Sequence, residues 1–133
     1  MMEPLISLNI RGHRRDFEPG DVLAAEYQVD AIGDDQIQAI ESSVLWYTEG
    51  KGDEDMAIHH FERRLPSDTE DGDMRVLHRF ETTLPNTPLS YSGVIVKICW
   101  CIRVRVFFKG GQDIFFEQYF QLGSVASGRV YAS

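Results

Sequence analysis

Across residues 94–108 every even position is apolar: Val94, Val96, Ile98, Trp100, Ile102, Val104, Val106 and Phe108. The odd positions include Lys97, Cys99, Cys101, Arg103 and Arg105. Alternation at period two separates these sets onto opposite sides of an extended chain, whereas a helix would scatter both around its circumference. Val, Ile, Trp and Phe also favour a sheet. The segment predicts one long strand with a core face and a semi-polar face.

Weaker copies of the pattern flank it. Ile6, Leu8 and Ile10 alternate with Ser7 and Asn9 in a short strand. Pro19 and Gly20 mark a turn at 17–21, since proline fixes φ and glycine permits positive φ. A strand at 22–29 and a turn at Gly33 follow. Over 36–48, Ile40, Val44 and Trp46 point inward, Gln38 and Ser42 interrupt that row, and Glu41 and Ser43 look outward. Residues 49–55 (EGKGDED) read as a solvated hairpin loop, 56–65 as an edge strand, and 66–73 (PSDTEDGD) as an acidic loop. Residues 74–83 are expected to resume as a strand with Val76 and Phe80 on one side. Two prolines and a glycine make 84–93 an extended linker. Lys109, Gly110 and Gly111 then form a tight turn into 112–122, with Ile114, Phe116, Phe120 and Leu122 on one face. Residues 123–133 read as a tail or a last edge strand. Seven or eight strands with turn signals between them, and no amphipathic helical window, predict an all-β, two-sheet, immunoglobulin-like sandwich.

A chain of 133 residues suits one domain, expected over 1–133, and at 43% apolar content it needs no disulfide or structural metal to build a core. Cys99 and Cys101 share one strand face about 6.6 Å apart, too far for a disulfide, which favours reduced thiols and a reducing compartment. No basic start with a long apolar run occurs, and nowhere do 18 uncharged apolar residues stand together. The expectation is a cytoplasmic protein without membrane insertion. The net charge of −8 divides into 19 acids against 8 bases in residues 1–93 and 2 against 5 in 94–133. That balance argues against nucleic acid or an anionic membrane as partner, because both demand a broad basic surface. Charges paired across neighbouring strands are the simplest use of it.

Candidate chemistry is sparse. His59 and His60 are adjacent, so a regular strand would point them to opposite faces. With His78, Asp53, Glu54 and Asp55 they match no metal-ligand spacing, and neither metal nor cofactor is predicted. Cys99 and Cys101 have Lys97 and Arg103 beside them, which would favour thiolate, but cysteines within strands are mostly packing residues and no nucleophile elbow is present. Ser90 and Ser92 suit turn hydrogen bonding. Gly110 and Gly111 join two strands, unlike a phosphate loop. Trp46 and Trp100 read as core, with a carbohydrate platform as the second reading. Lys97, Arg103 and Arg105 form a basic stripe able to hold an acidic or phosphorylated peptide, unless carboxylates such as Glu41 or Glu117 pair with it across the strands.

Three stretches together resemble arrestin-like domains, the family that includes arrestins, the retromer small subunit and bacterial sporulation-control proteins. Residues 17–21 (FEPGD), followed by a strand, resemble the family's turn before its second strand. Residues 37–46 (IQAIESSVLW) are similar to the strand that follows. Residues 80–100 (FETTLPNTPLSYSGVIVKICW) resemble its order of Phe, Leu-Pro, Pro, Ser and Gly ahead of a long apolar strand. A PPII-like segment there crosses between sheets before the chain enters a central strand. The likeness covers residues 5–122 and implies an arrestin-like sandwich. Arrestins have two domains, so features built from both halves do not carry over. It also implies a non-enzymatic adaptor or scaffold that binds another protein or peptide, with self-association through an exposed edge strand such as 56–65 as a further use. The alternative is a small-ligand or carbohydrate-binding sandwich, or a hydrolase-type site around Asp53–His60.

Overall fold

The computed structural model describes residues 5–30, 33, 36–52 and 54–123. Among them are nine strands: β1 (Leu5–Ile10), β2 (Asp16–Phe17), β3 (Val22–Asp30), β4 (Ile37–Gly50), β5 (Met56–Arg64), β6 (His78–Thr83), β7 (Tyr91–Ser92), β8 (Val96–Phe108) and β9 (Asp113–Leu122). A three-stranded sheet has the order β1-β3-β6, and a six-stranded sheet has the order β2-β9-β8-β4-β5 with β7 added beside β8. All pairings are antiparallel except that of β2 with β9. The predicted two-sheet all-β sandwich is what forms.

The long strand is β8, and both of its neighbours are long because both match its hydrogen-bonding length. It begins at Val96, since Val94 and Ile95 lie in a bend and are 100% and 66% exposed. From Trp100 to Phe108 its even side chains are buried and face the smaller sheet, where Leu23, Ala25, Tyr27 and Val29 of β3 meet them in one core. The linker before β8 is anchored to that core at two neighbouring points. Trp100 Nε1 donates to the Pro88 carbonyl at 2.8 Å. Ser90 Oγ accepts from the Leu122 amide at 2.8 Å, and the Ser90 amide donates back to the Leu122 carbonyl at 2.8 Å. A buried indole N–H and a buried hydroxyl both need such partners, which explains why this polar segment lies against the core.

Four local expectations change. The linker at 84–93, expected to hold no regular element, ends in β7, where Tyr91 and Ser92 pair with Ile98 and Lys97 of β8. The strand predicted for 74–83 exists only from His78. Asp73 accepts from the Arg75 amide at 2.9 Å and from its guanidinium at 3.0 Å, which folds the chain into a turn; Met74 is then buried and Val76 is left 51% exposed. A bulge between Ile37 and Ala39 ejects Gln38, so it no longer interrupts the inner row, whereas Ser42 stays in that row fully buried. A second bulge makes both Val44↔His60 and Leu45↔Ile58 partners, so His59 is the extra residue of β5. His59 and His60 consequently both face the smaller sheet rather than opposite sides. The expectation for residues 123–133 falls, beyond Gly123, outside the described residues.

Candidate functional site

Because β8 is central in the larger sheet, its odd side chains lie on the face turned away from the core. Register arranges this outer face in rows across β5, β4, β8 and β9. One row is Ile58–Leu45–Cys101–Tyr119, the next Phe61–Ser43–Arg103–Glu117, and the next Arg63–Glu41–Arg105–Phe115. Among the described residues no second sheet covers them, yet Leu45 and Cys101 are 1% and 0% exposed. Larger neighbours on the same face close over these central residues. Met56, Ile58, Phe61, Phe115 and Tyr119 remain 44–61% exposed around them.

The charges of this face pair across strands. Arg103 reaches Glu117 at 2.6 Å, Arg105 reaches Asp113 at 2.6 Å, and Arg63 pairs with Glu41. Each of these guanidiniums also lies near an aromatic ring: Arg103 near Phe115 at 5.9 Å, Arg105 over Phe107 at 4.8 Å and Arg63 near Phe107 at 5.8 Å. Lys97 stands opposite Glu49 in the β4–β8 register. With these three ion pairs, that makes four bases and four acids. The structure thus brings Lys97, Arg103 and Arg105 onto one face but gives both arginines a carboxylate partner. Of the two carboxylates named from sequence, Glu117 is a partner of the stripe, and Glu41 binds Arg63 instead because β5 lies beside β4.

Cys99 and Cys101 are free and share this face. Burial, reinforced by Glu117, pushes the Cys101 thiol up to about 12, and burial also raises Cys99. Lys97 and Arg103 oppose the rise but are outweighed, so desolvation decides against thiolate. Beside them Tyr47 and Tyr119 share a 2.6 Å hydrogen bond between their hydroxyls, and burial with this bond pushes the Tyr47 phenol upward. The pair fastens β4 to β9 over the top of β8.

The groups around 53–60 separate. Thr48 Oγ1 accepts from the Asp55 amide at 2.8 Å, fixing the β4–β5 hairpin, while Asp53 lies outside the described residues. His59 Nε2 donates to the Thr83 carbonyl at 2.9 Å and its ring meets the edge of Trp100 at 6.2 Å. His60 stacks on Phe80 at 5.5 Å, and His78 Nε2 lies 3.2 Å from Glu62 Oε2. These histidines close the side of the sandwich where β5 and β6 meet without backbone pairing. Sequence reasoning missed that seam because only the bulge turns His59 inward. Among the described residues no group of three His, Cys, Asp or Glu has the arrangement to hold a metal ion, and no helix is long and apolar enough to cross a membrane.

The smaller sheet carries a shallow basin of ≈ 460 Å³ on its own outer side, bordered by Arg11, His13, Glu26, Arg79 and Glu81. Arg79 and Glu26 are paired there at 3.1 Å. Its floor includes Ala24, whose small side chain leaves the depression, while Ala25 beside it points into the core.

No family model matches the sequence, and no curated protein matches it in sequence. In structure it is similar to Spo0M, a sporulation control protein from Bacillus subtilis, with a TM-score of 0.63 at 16% identity. The match covers 92% of this chain and 50% of that one, so this chain spans about half the length of its neighbour. At that identity the likeness concerns the fold alone. The fold is an all-β, two-sheet sandwich of the arrestin-like kind.

Proposed function

We infer that this chain is a non-enzymatic protein-interaction or scaffold domain of the cytoplasm, and that the outer face of the larger sheet is the surface it offers. The observation that carries this reading is the ring of half-exposed apolar side chains, Met56, Ile58, Phe61, Phe115 and Tyr119, set among ion-paired arginines on one face. Clustered exposed apolar groups mark interaction sites, and aromatic residues with arginine are the types that dominate binding energy. Lys97, Arg103 and Arg105 take part as charges on the central strand that orient a partner, since ion pairs with one side in solvent trade partners at little cost. The neighbouring edge of β5, which among the described residues pairs with β4 alone, adds a place for strand addition. The likeness to a sporulation control protein is in keeping with a regulatory role.

The test is affinity capture from the native cell with mass spectrometry, comparing the wild-type chain with Arg103→Glu/Arg105→Glu and with Phe61→Asp/Phe115→Asp. All four side chains are partly exposed, so the sandwich itself should persist. Partners lost by the apolar pair support the face, and those lost by the arginine pair assign the stripe. Retention of every partner by both variants rejects the reading. A second reading, a small-ligand sandwich, is favoured only by the basin on the smaller sheet, and a reproducible small-molecule ligand contacting Arg11 or Arg79 would promote it.

A further inference from the structure

We propose that the outer face of the larger sheet is covered by a second copy of this chain, packed face to face about a twofold axis that runs parallel to the strands between β4 and β8. The proposal rests on the reading of that face as an interaction surface and names its occupant.

The first argument is net charge. Two copies of a chain carrying −8 repel one another over most of their surface. The outer face is neutral, because its four bases meet four acids. It is also where the apolar side chains gather, so approach there removes apolar surface without bringing like net charges together.

The second argument is the order of the charges. Along the sheet the strands alternate in sign: Arg63 on β5, Glu41 and Glu49 on β4, Lys97, Arg103 and Arg105 on β8, Asp113 and Glu117 on β9. A twofold axis between β4 and β8 sets the partner's β8 over β4 and the partner's β9 over β5. Every basic strand then faces an acidic one. A twofold axis perpendicular to the strands would set each strand over itself, like charge on like charge, so the pattern selects one arrangement. In the selected arrangement the apolar row also matches, with Ile58 against the second copy's Tyr119 and Leu45 against its Cys101. Isologous closure of this kind gives a dimer and not a fibre.

The third argument is size. Four strands at about 4.8 Å spacing and some eight residues at about 3.3 Å each present roughly 500 Å² in projection, which side-chain relief brings toward the roughly 800 Å² of accessible surface per partner found in standard interfaces. Packed at about 10 Å, the two large sheets become the inner layers of a four-layer assembly.

Sedimentation velocity on the full chain from micromolar to millimolar concentration tests this. The expected result is a reversible dimer that Ile58→Glu/Phe115→Glu weakens about tenfold or more, with an unchanged urea midpoint, read at a concentration where the wild-type chain is monomeric, as the control for folding. Arg105→Glu should weaken it through the partner's Glu41, and adding Glu41→Arg should restore it, which a merely apolar association would not do. A monomer throughout the range, or a dimer indifferent to these substitutions, overturns the proposal. If the chain is monomeric yet the same apolar substitutions strip other proteins from it in affinity capture, the interaction reading stands and only the second copy as occupant is lost.

Discussion

The two faces of the larger sheet are made by the same four long or medium strands, yet they bury their central residues for different reasons. On the inner face Trp100, Ile102 and Val104 are covered by the smaller sheet, and the covering is complete because another layer supplies it. On the outer face Leu45 and Cys101 are covered only by longer neighbours leaning across the strands, while those neighbours stay half in solvent. The contrast teaches that burial of a residue does not by itself identify a core. A core is closed on both sides; the outer face is a layer one side chain thick that a partner would complete.

Substitutions can break this contrast or sharpen it. Trp100→Ala should have the largest effect, about 3–5 kcal/mol lost in urea unfolding, because it empties a closed interior and orphans the Pro88 carbonyl. Leu45→Ala should lose about 2 kcal/mol, the low end for a buried leucine, since the hole it leaves lies under mobile side chains that can refill it. Equal losses at the two positions would show that the outer face is a second core, and the contrast would fail.

Cys101 allows a finer measurement. Its thiol is raised in the folded state from 9.0 to about 12, so its contribution to stability is fully present below pH 9 and is lost as pH climbs from 9 toward 12, where only the unfolded chain ionises. Cys101→Ala should flatten that alkaline decline, read as the urea midpoint against pH. Native-state labelling by a thiol reagent should be slow at Cys101 and speed up on unfolding. Rapid labelling in the folded state would mean that the outer layer opens readily.

Smaller effects probe the ion pairs. Arg103→Ala should cost less than about 1 kcal/mol, because its pair with Glu117 is one-third exposed on the arginine side and screened by water. A larger loss, read by the same urea unfolding, would make the ion pairs structural rather than available to a partner. Least of all is the acid response of Asp21, which lies away from both faces. Its carboxyl is held low by the Glu18 backbone amide and by Arg14, so its stabilisation is present above about pH 4 and fades as pH falls below its unfolded value of 3.8. Asp21→Asn should slightly flatten the acid limb and leave the neutral midpoint nearly unchanged.

Much of the fold was legible. The alternation in β8, the Gly110–Gly111 hairpin, the edge position of β5 and the crossing linker before β8 all follow from local patterns and survive in the structure. The errors fall where one residue disturbs the period. Gln38 and His59 are bulged, and one parity cannot describe the side chains on both sides of a bulge. At residues 74–77 the Asp73–Arg75 contact overrides an apolar pattern that looked extended. The candidate stripe was visible as three residues of one parity, but whether each cation had a partner depended on which strands flank β8. That is non-local information.

By itself the sequence determined that this chain makes strands, that it makes them around residues 96–108, and which parity of that strand seeks a core, because side-chain direction in an extended chain is a local property. Only the tertiary structure decided the fate of the other parity. Placing β4 and β9 on either side of β8, and β5 beyond β4, paired Arg103 and Arg105 with carboxylates of β9, gave Glu41 to Arg63, buried Cys101 beneath its neighbours and gathered five apolar side chains on one open face. Strand neighbours are chosen by the packing of the whole sandwich, and no short window of sequence contains that choice.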